Sequence, residues 1–276
     1  MKHTKTQNAQ IRRFKEFRER TGISFSTEMS GKMSGMCSLS TSPHGERCKA
    51  NAERFEVCKH CYAKTCDAMY PALHANLMRN LEILTTTEIP VNEWVKINYN
   101  AWRCVRLESF GDVNNVTQVV NYFNLCKANP KITFTVWTKN IDLYYQAVEN
   151  GNAKPDNLIL VASSSMLNTP IQIPEKYRHI VNKVFTVYTY DYIRENNITP
   201  CFINCGARSC AHCKRCYRFK DGLLDFCTEC RFYIEYVNEI LKSDSRRVHK
   251  WWAENGWCGT NGKDPHVKGT KPNAIA

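Results

Sequence analysis

No run of the chain approaches the roughly 20 consecutive apolar residues that carry a helix across a bilayer, and the basic opening stretch MKHTKTQNAQIRRFKEFRER holds no apolar segment of signal-peptide length. A membrane-spanning or exported protein is therefore not expected, and the cytoplasm is the expected compartment. The nucleotide-hydrolysis motif GxxxxGKS/T and the dinucleotide motif GxGxxG are both absent, so neither chemistry has support. No internal repeat of fixed period and no low-complexity linker occurs. What remains is a 276-residue chain with 43% hydrophobic residues, long enough for one large domain with a sizeable core and a small appendage.

One residue type is in excess. The 15 cysteines are an odd number, and in a reducing compartment they do not make a disulfide framework, so metal binding is the leading reading. Cys104 and Cys126 lie in apolar strand-like and helix-like patterns and read as core residues, while Cys258 stands alone near the end. The formal net charge of +12 suits a polyanionic partner, a nucleic acid or a phosphorylated molecule. Outside the first twenty positions and the group Arg246, Arg247, His249 and Lys250, however, the basic residues are scattered, as on any solvated basic surface.

Ile11, Phe14 and Phe17 recur at helical spacing between charges and stop at Gly22, which predicts a short amphipathic helix over about 9–20. The Ser/Thr/Gly-rich stretch 31–43, with Met33, Met36 and Leu39, predicts a short strand and a loop. Leu73, Leu77, Leu81 and Leu84 share one face of a helix over 71–86. VNEWVKINYNAW reads as another helix, and CVRLESFGDV as a strand ending in Gly111 and Asp112. Helix, strand, helix and strand then follow at 113–129, 132–139, 140–151 and 156–165, and KVFTVYTY and DYIRENN add a strand and a short helix. This alternation predicts an α/β fold of parallel strands with right-handed crossovers, curled into an open sheet or a partial (β/α) barrel. The expected organisation is an N-terminal helical arm at 1–33, the β/α body at 34–200, and a cysteine-rich region, helix and tail at 201–276.

Two cysteine groups carry the chemistry. Cys201, Cys205, Cys210, Cys213 and Cys216, followed by the pair Cys227 and Cys230, exceed what one zinc or one four-iron cluster needs. Successive C-x2-C steps wrap backbone around a metal, and either an iron-sulfur cluster or zinc satisfies them. The other group is CKANAERFEVCKHCY, in which Cys48, Cys58 and Cys61 form C-x9-C-x2-C. Three thiolates can hold three irons of a cubane and leave the fourth open for a ligand; the same spacing also fits half of a zinc site, with Cys37 or Cys66 as fourth ligand.

The succession KMSGMCSLS, the loop VCKHCYA, the strands RLESFGDV and TVWTK and the late cysteine block resemble the gene-product-88-like family of phages and mobile elements, itself similar to a divergent branch of the radical S-adenosylmethionine enzymes. The likeness spans about residues 32–216. It implies a partial (β/α) barrel of radical-enzyme type, a [4Fe-4S] cluster on Cys48, Cys58 and Cys61, and S-adenosylmethionine on the open iron, cleaved reductively to a 5′-deoxyadenosyl radical. It further implies contacts to the methionine moiety at Gly111 and Asp112, contacts to ribose or carboxylate at Lys139 and the Ser163–Ser165 run, an auxiliary C-terminal cluster, and an external electron donor. The usual loop of such enzymes is C-x3-C-x2-C; here the first gap is nine residues, His60 stands before the last cysteine and Tyr62 follows it. The residues by themselves leave two other readings open: a zinc-stabilised basic nucleic-acid-binding protein, and an iron-sulfur electron carrier or sensor.

Overall fold

Segments with apolar residues at every second position pair here as parallel strands, because successive strand side chains point to opposite faces and one face can be buried throughout. The computed structural model describes residues 3–29, 33–59 and 61–187, together with Tyr192, Glu195, Asn196, Phe232 and Tyr233. Strands β1 (Cys37–Leu39), β2 (Cys104–Leu107), β3 (Thr133–Thr138), β4 (Leu158–Ser163) and β5 (Lys183–Val187) lie side by side in chain order, every pair parallel. The two-residue strand β6 (Phe232–Tyr233) pairs parallel with the end of β5. The expected α/β architecture is thus present, and among the described residues the sheet is open and does not close into a barrel.

Strand order that follows chain order makes every crossover step the same way, and right-handed crossovers then put the connecting helices on one face. On that face Leu107, Phe134, Val136, Leu158 and Leu160 form one core with Phe14 and Phe17 of α1 (Lys5–Thr21), Leu84 of α5 (Pro71–Thr86), Tyr122 and Phe123 of α6 (Val116–Ala128), and Leu143 and Tyr144 of α7 (Ile141–Glu149). Each such side chain contributes about 1.5–3 kcal/mol by leaving water. Helix α1 begins four residues before the predicted start, because Thr4 and Gln7 form a capping box, and it ends at Gly22 in the left-handed conformation. Among the described residues, no helix is long and apolar enough to cross a membrane.

The helix expected over 91–102 does not form. Only a 3-10 turn at Val91–Glu93 appears, and the chain then runs irregularly to β2. Trp94, Ile97, Ala101 and Trp102 are buried at spacings that mimic a helix face. The backbone finds its partners elsewhere, however: just before the stretch the Ile89 amide donates to Asn121 Oδ1 at 2.7 Å, and within it Ile97 donates to Asn129 Oδ1 at 2.7 Å and Asn98 to Gln10 Oε1 at 2.9 Å. Side-chain amides of α1, α6 and the residue capping α6 replace the intrahelical ladder.

The second face of the sheet is different. It carries Ser38, Arg106, Thr135, Trp137, Ile159, Val161, Ser163 and Phe185, residues that alternate with those of the helix-covered core. Ile159, Val161, Phe185 and Val187 form a small cluster there with Val57 from the cysteine segment. That segment, predicted as a loop, folds into short helices α2 (Glu46–Arg54), α3 (Glu56–Lys59) and α4 (Tyr62–Met69).

Candidate metal centre

Cys48 lies on α2, Cys58 on α3, and Cys61 is the residue capping the N-terminus of α4. No residue of α2 is buried, so polar contacts rather than apolar packing seat it. Arg47 pairs with Asp142 at 2.9 Å and its amide donates to Asn114 Oδ1 at 3.3 Å, while Asn51 Nδ2 donates to Asn140 Oδ1 at 2.9 Å. A Cβ on Gly45 would lie 2.1 Å from Asn114 Oδ1 and would push that side chain off its bonds to the Arg47 amide and the Asp112 carbonyl. With Val57 fastened to the second face, the three-cysteine segment sits against the residues that follow β2 and β3. That is the C-terminal edge of a parallel sheet, the side on which open α/β sheets hold ligands.

Burial raises the Cys48 thiol well above its ordinary range, and the negative charges of Asp112, Glu108, Cys61 and Cys58 raise it further. Burial also raises Cys58, with Lys139 opposing, Asp112 and Cys61 adding, and Lys64 opposing. The three thiols therefore share one electrostatic neighbourhood, and none is in a disulfide. Cys48 and Cys58 are soft donors that are costly to ionise without a counter-charge, and with Cys61 as the third thiol they fit a three-thiolate ligand set for a thiophilic metal or cluster. Cys37 is fully buried in the helix-side core, its thiol raised by burial, and it is no fourth ligand; Cys66 is partly exposed on α4.

The residues expected to contact a cofactor come to the same edge. Asp112 is 8% exposed; its Oδ1 accepts the Val113 amide and its Oδ2 the Lys139 amide, both at 2.8 Å, which ties the turn after β2 to the end of β3. Burial raises its carboxyl, and bonds from Thr138 and the Lys139 amide oppose the rise. Lys139 Nζ donates to Ser163 Oγ at 3.3 Å, joining the ends of β3 and β4. A Cβ on Gly111 would come within 2.6 Å of the Thr41 carbonyl oxygen, so glycine lets the turn after β2 lie against the residues after β1. Cys201, Cys205, Cys210, Cys213, Cys216, Cys227 and Cys230, with His60, lie outside the described residues.

The family model described as gene product 88 matches residues 4–236. The chain belongs to the gene product 88 family. No curated protein and no solved structure matches it.

Two further features of this gene product 88 family member stand at the same edge, unmarked by any motif. Glu108 ends β2 in the left-handed region at φ 51°, which a non-glycine residue rarely adopts, and it is 3% exposed. Its carboxylate accepts from the Thr41 amide at 3.0 Å, from Thr41 Oγ1 at 2.9 Å, from Gln118 Nε2 at 2.7 Å and from the Tyr122 hydroxyl. Burial pushes this carboxyl up to about 7, against the lowering effect of the bonds from Tyr122 and Thr41 and with a smaller push from Asp112. Beside it Ser38, Ser40 and Ser109 close a triangle of hydroxyl contacts at 2.8–3.0 Å, and the Tyr62 hydroxyl donates to the Ser109 carbonyl. A glutamate after an alternating strand reads in sequence as an ordinary exposed residue; only the left-handed turn carries it inward.

Proposed function

We propose that this chain is an iron-sulfur enzyme of the radical S-adenosylmethionine type, with Cys48, Cys58 and Cys61 as cluster ligands. The observation that carries the proposal is the gathering of those thiols in one electrostatic neighbourhood with Asp112 and Lys139, at the C-terminal edge of an open parallel sheet. When bound, a four-iron cluster with one open iron supplies the electron that cleaves the sulfonium of S-adenosylmethionine. The chain's own groups do the rest. Lys139 and Ser163 offer donors to a carboxylate or ribose, and Asp112 fixes the spacing of the two loops that present them. Tyr62, next to Cys61 in the chain, packs its ring against Phe110 at a centroid distance of 6.4 Å. An external donor delivers the electron, an auxiliary cluster on cysteines from Cys201 to Cys230 relays it or anchors substrate, and the net charge of +12 favours a nucleic acid or phosphorylated substrate.

Anaerobic purification tests the cluster. The protein should be brown, with iron and acid-labile sulfide, and Cys58→Ala should lose the cluster of the first segment while the C-terminal group keeps its own. Reduction in the presence of S-adenosylmethionine should release 5′-deoxyadenosine. A colourless protein with stoichiometric zinc would overturn the enzyme reading in favour of a zinc-stabilised nucleic-acid binder. A brown protein that makes no 5′-deoxyadenosine, and whose cluster EPR signal ignores the cofactor, would instead be an electron carrier or sensor.

A further inference from the structure

The three-cysteine segment is flanked by a second group of metal-ligating side chains that includes no sulfur. His44 follows β1 and stands just before the segment; Asp67 is on α4 and His74 on α5, just after it. His44 Nε2 lies 3.0 Å from Asp67 Oδ2, and His74 Nδ1 lies 2.6 Å from the same oxygen. The three ligand atoms all fall within 4.8 Å of one another, and the imidazole centroids are 5.9 Å apart. The Asp67 side chain is 1% exposed, whereas the two imidazoles are 39% and 47% exposed. The other carboxylate oxygen, Asp67 Oδ1, is buried and has no hydrogen-bond partner among the described residues.

We propose that His44, Asp67 and His74 form a binding site for a divalent first-row transition cation, zinc or iron(II), separate from the cysteine site. Ligand atoms about 2.0–2.1 Å from a tetrahedral zinc stand roughly 3.3 Å from one another, a spacing these three reach with small side-chain rotations. As hydrogen bonds alone, the arrangement places both imidazole N–H groups on one carboxylate oxygen and leaves the other buried without a donor, which is unfavourable. A cation replaces the two shared protons, and a water molecule on its open position can donate to Oδ1. Two imidazoles and a carboxylate are borderline-to-hard donors suited to a single zinc or iron(II) ion rather than to an iron-sulfur cluster, which takes thiolates. The exposed sides of both rings leave coordination positions open to water or a ligand, as catalytic rather than closed structural sites do. The site also joins the two flanks of residues 45–66, so occupancy would constrain the segment that presents Cys48, Cys58 and Cys61.

Cobalt(II) is the probe, because a cobalt-bound histidine gives a strongly shifted proton NMR signal from its remaining N–H, and that signal disappears in deuterium oxide. Cysteine ligands have no such exchangeable proton. The full-length chain loaded with cobalt should show two of these signals, one from the Nδ1–H of His44 and one from the Nε2–H of His74. In His74→Ala, and independently in His44→Ala, both signals should vanish, and cobalt binding at the site should weaken by at least about tenfold. Both side chains are partly exposed, so the variants should keep the wild-type circular dichroism; should one misfold, the other decides. In Cys58→Ala the two signals should persist, which separates this site from the proposed cluster and from the fate of that proposal. Absence of the signals in the wild type, their survival in the folded histidine variants, or their loss in Cys58→Ala would overturn it.

Discussion

Leu107 and Arg106 are adjacent in β2, and each opens onto a differently built face of the sheet. Leu107 is fully buried in the helix-side core, among Val136, Leu160, Tyr122 and Phe123. Arg106, 8% exposed, lays its guanidinium over the Trp137 ring at 4.1 Å and donates from Nε to the Leu107 carbonyl at 3.1 Å. Ser38 and Thr135 are its partners in the neighbouring strands. The helix-covered face gains its stability by removing apolar area from water. The other face gives up some of that gain by burying polar groups, each of which needs a partner, and in return it keeps donors, thiols and carboxylates at the strand ends.

The contrast can be broken most forcefully on the apolar side. Phe123→Ala should lower the free energy of unfolding by about 3–5 kcal/mol, read from the midpoint of a urea transition, because a fully packed ring leaves a cavity. Among the buried polar groups at the strand ends the largest effect belongs to Glu108, which bonds to Gln118 and Tyr122 of α6, and it depends on pH. Its native carboxyl sits at about 7 against an ordinary value of 4.5, so the native state binds the proton more tightly than the unfolded chain. The stabilisation this provides is complete below pH 4.5 and is lost as pH rises through about 7. The free energy of unfolding should therefore decline between about pH 5 and 7.5, by on the order of 3 kcal/mol at most, and Glu108→Gln should remove that decline. An unchanged profile in the variant would mean that another group titrates.

Gly111→Ala should cost about 1–3 kcal/mol, because the new methyl meets Thr41 backbone that cannot move aside, and it should also reduce the iron retained on anaerobic purification. Retention of full iron would show that the turn after β2 does not shape the metal centre. Ser38→Ala should be the mildest, near 1 kcal/mol by urea denaturation, since Ser40 and Ser109 keep their contact at 2.9 Å. A loss as large as that of Phe123→Ala would erase the distinction between the two faces.

The helix-covered face was legible in the sequence and the other was not. Val105 with Leu107, and Phe134 with Val136, announce their strands because a period of two matches the pleat. The run of short helices α2 to α4 went unread: α2 buries nothing, so no periodicity marks it. The stretch 91–102 misleads for the opposite reason, since its apolar spacing is right for a helix while the amides of Ile97 and Asn98 are claimed by Asn129 and Gln10. Asp112 and Lys139 stood out only through the family resemblance of the strands they follow, whereas Cys48, Cys58 and Cys61 could be singled out by residue type and spacing. His44, Asp67 and His74 could not, because nothing in their sequence separation marks them as neighbours; the fold of α4 against α5 brings them together.

The asparagines that hold the segment before β2 have a consequence for its motions. Asn121 donates to the Leu84 and Thr87 carbonyls at 2.9 and 2.7 Å, and Asn129 to Val95 and Leu125, both at 3.0 Å, while each also accepts an amide from the segment. The amide protons of Ile89 and Ile97 are thus held as firmly as those of a helix interior, although no regular structure surrounds them. In deuterium-exchange measurements they should be released together with the core amides of α6 rather than with the loops, marking an irregular stretch of chain that opens only when the helix beneath it does.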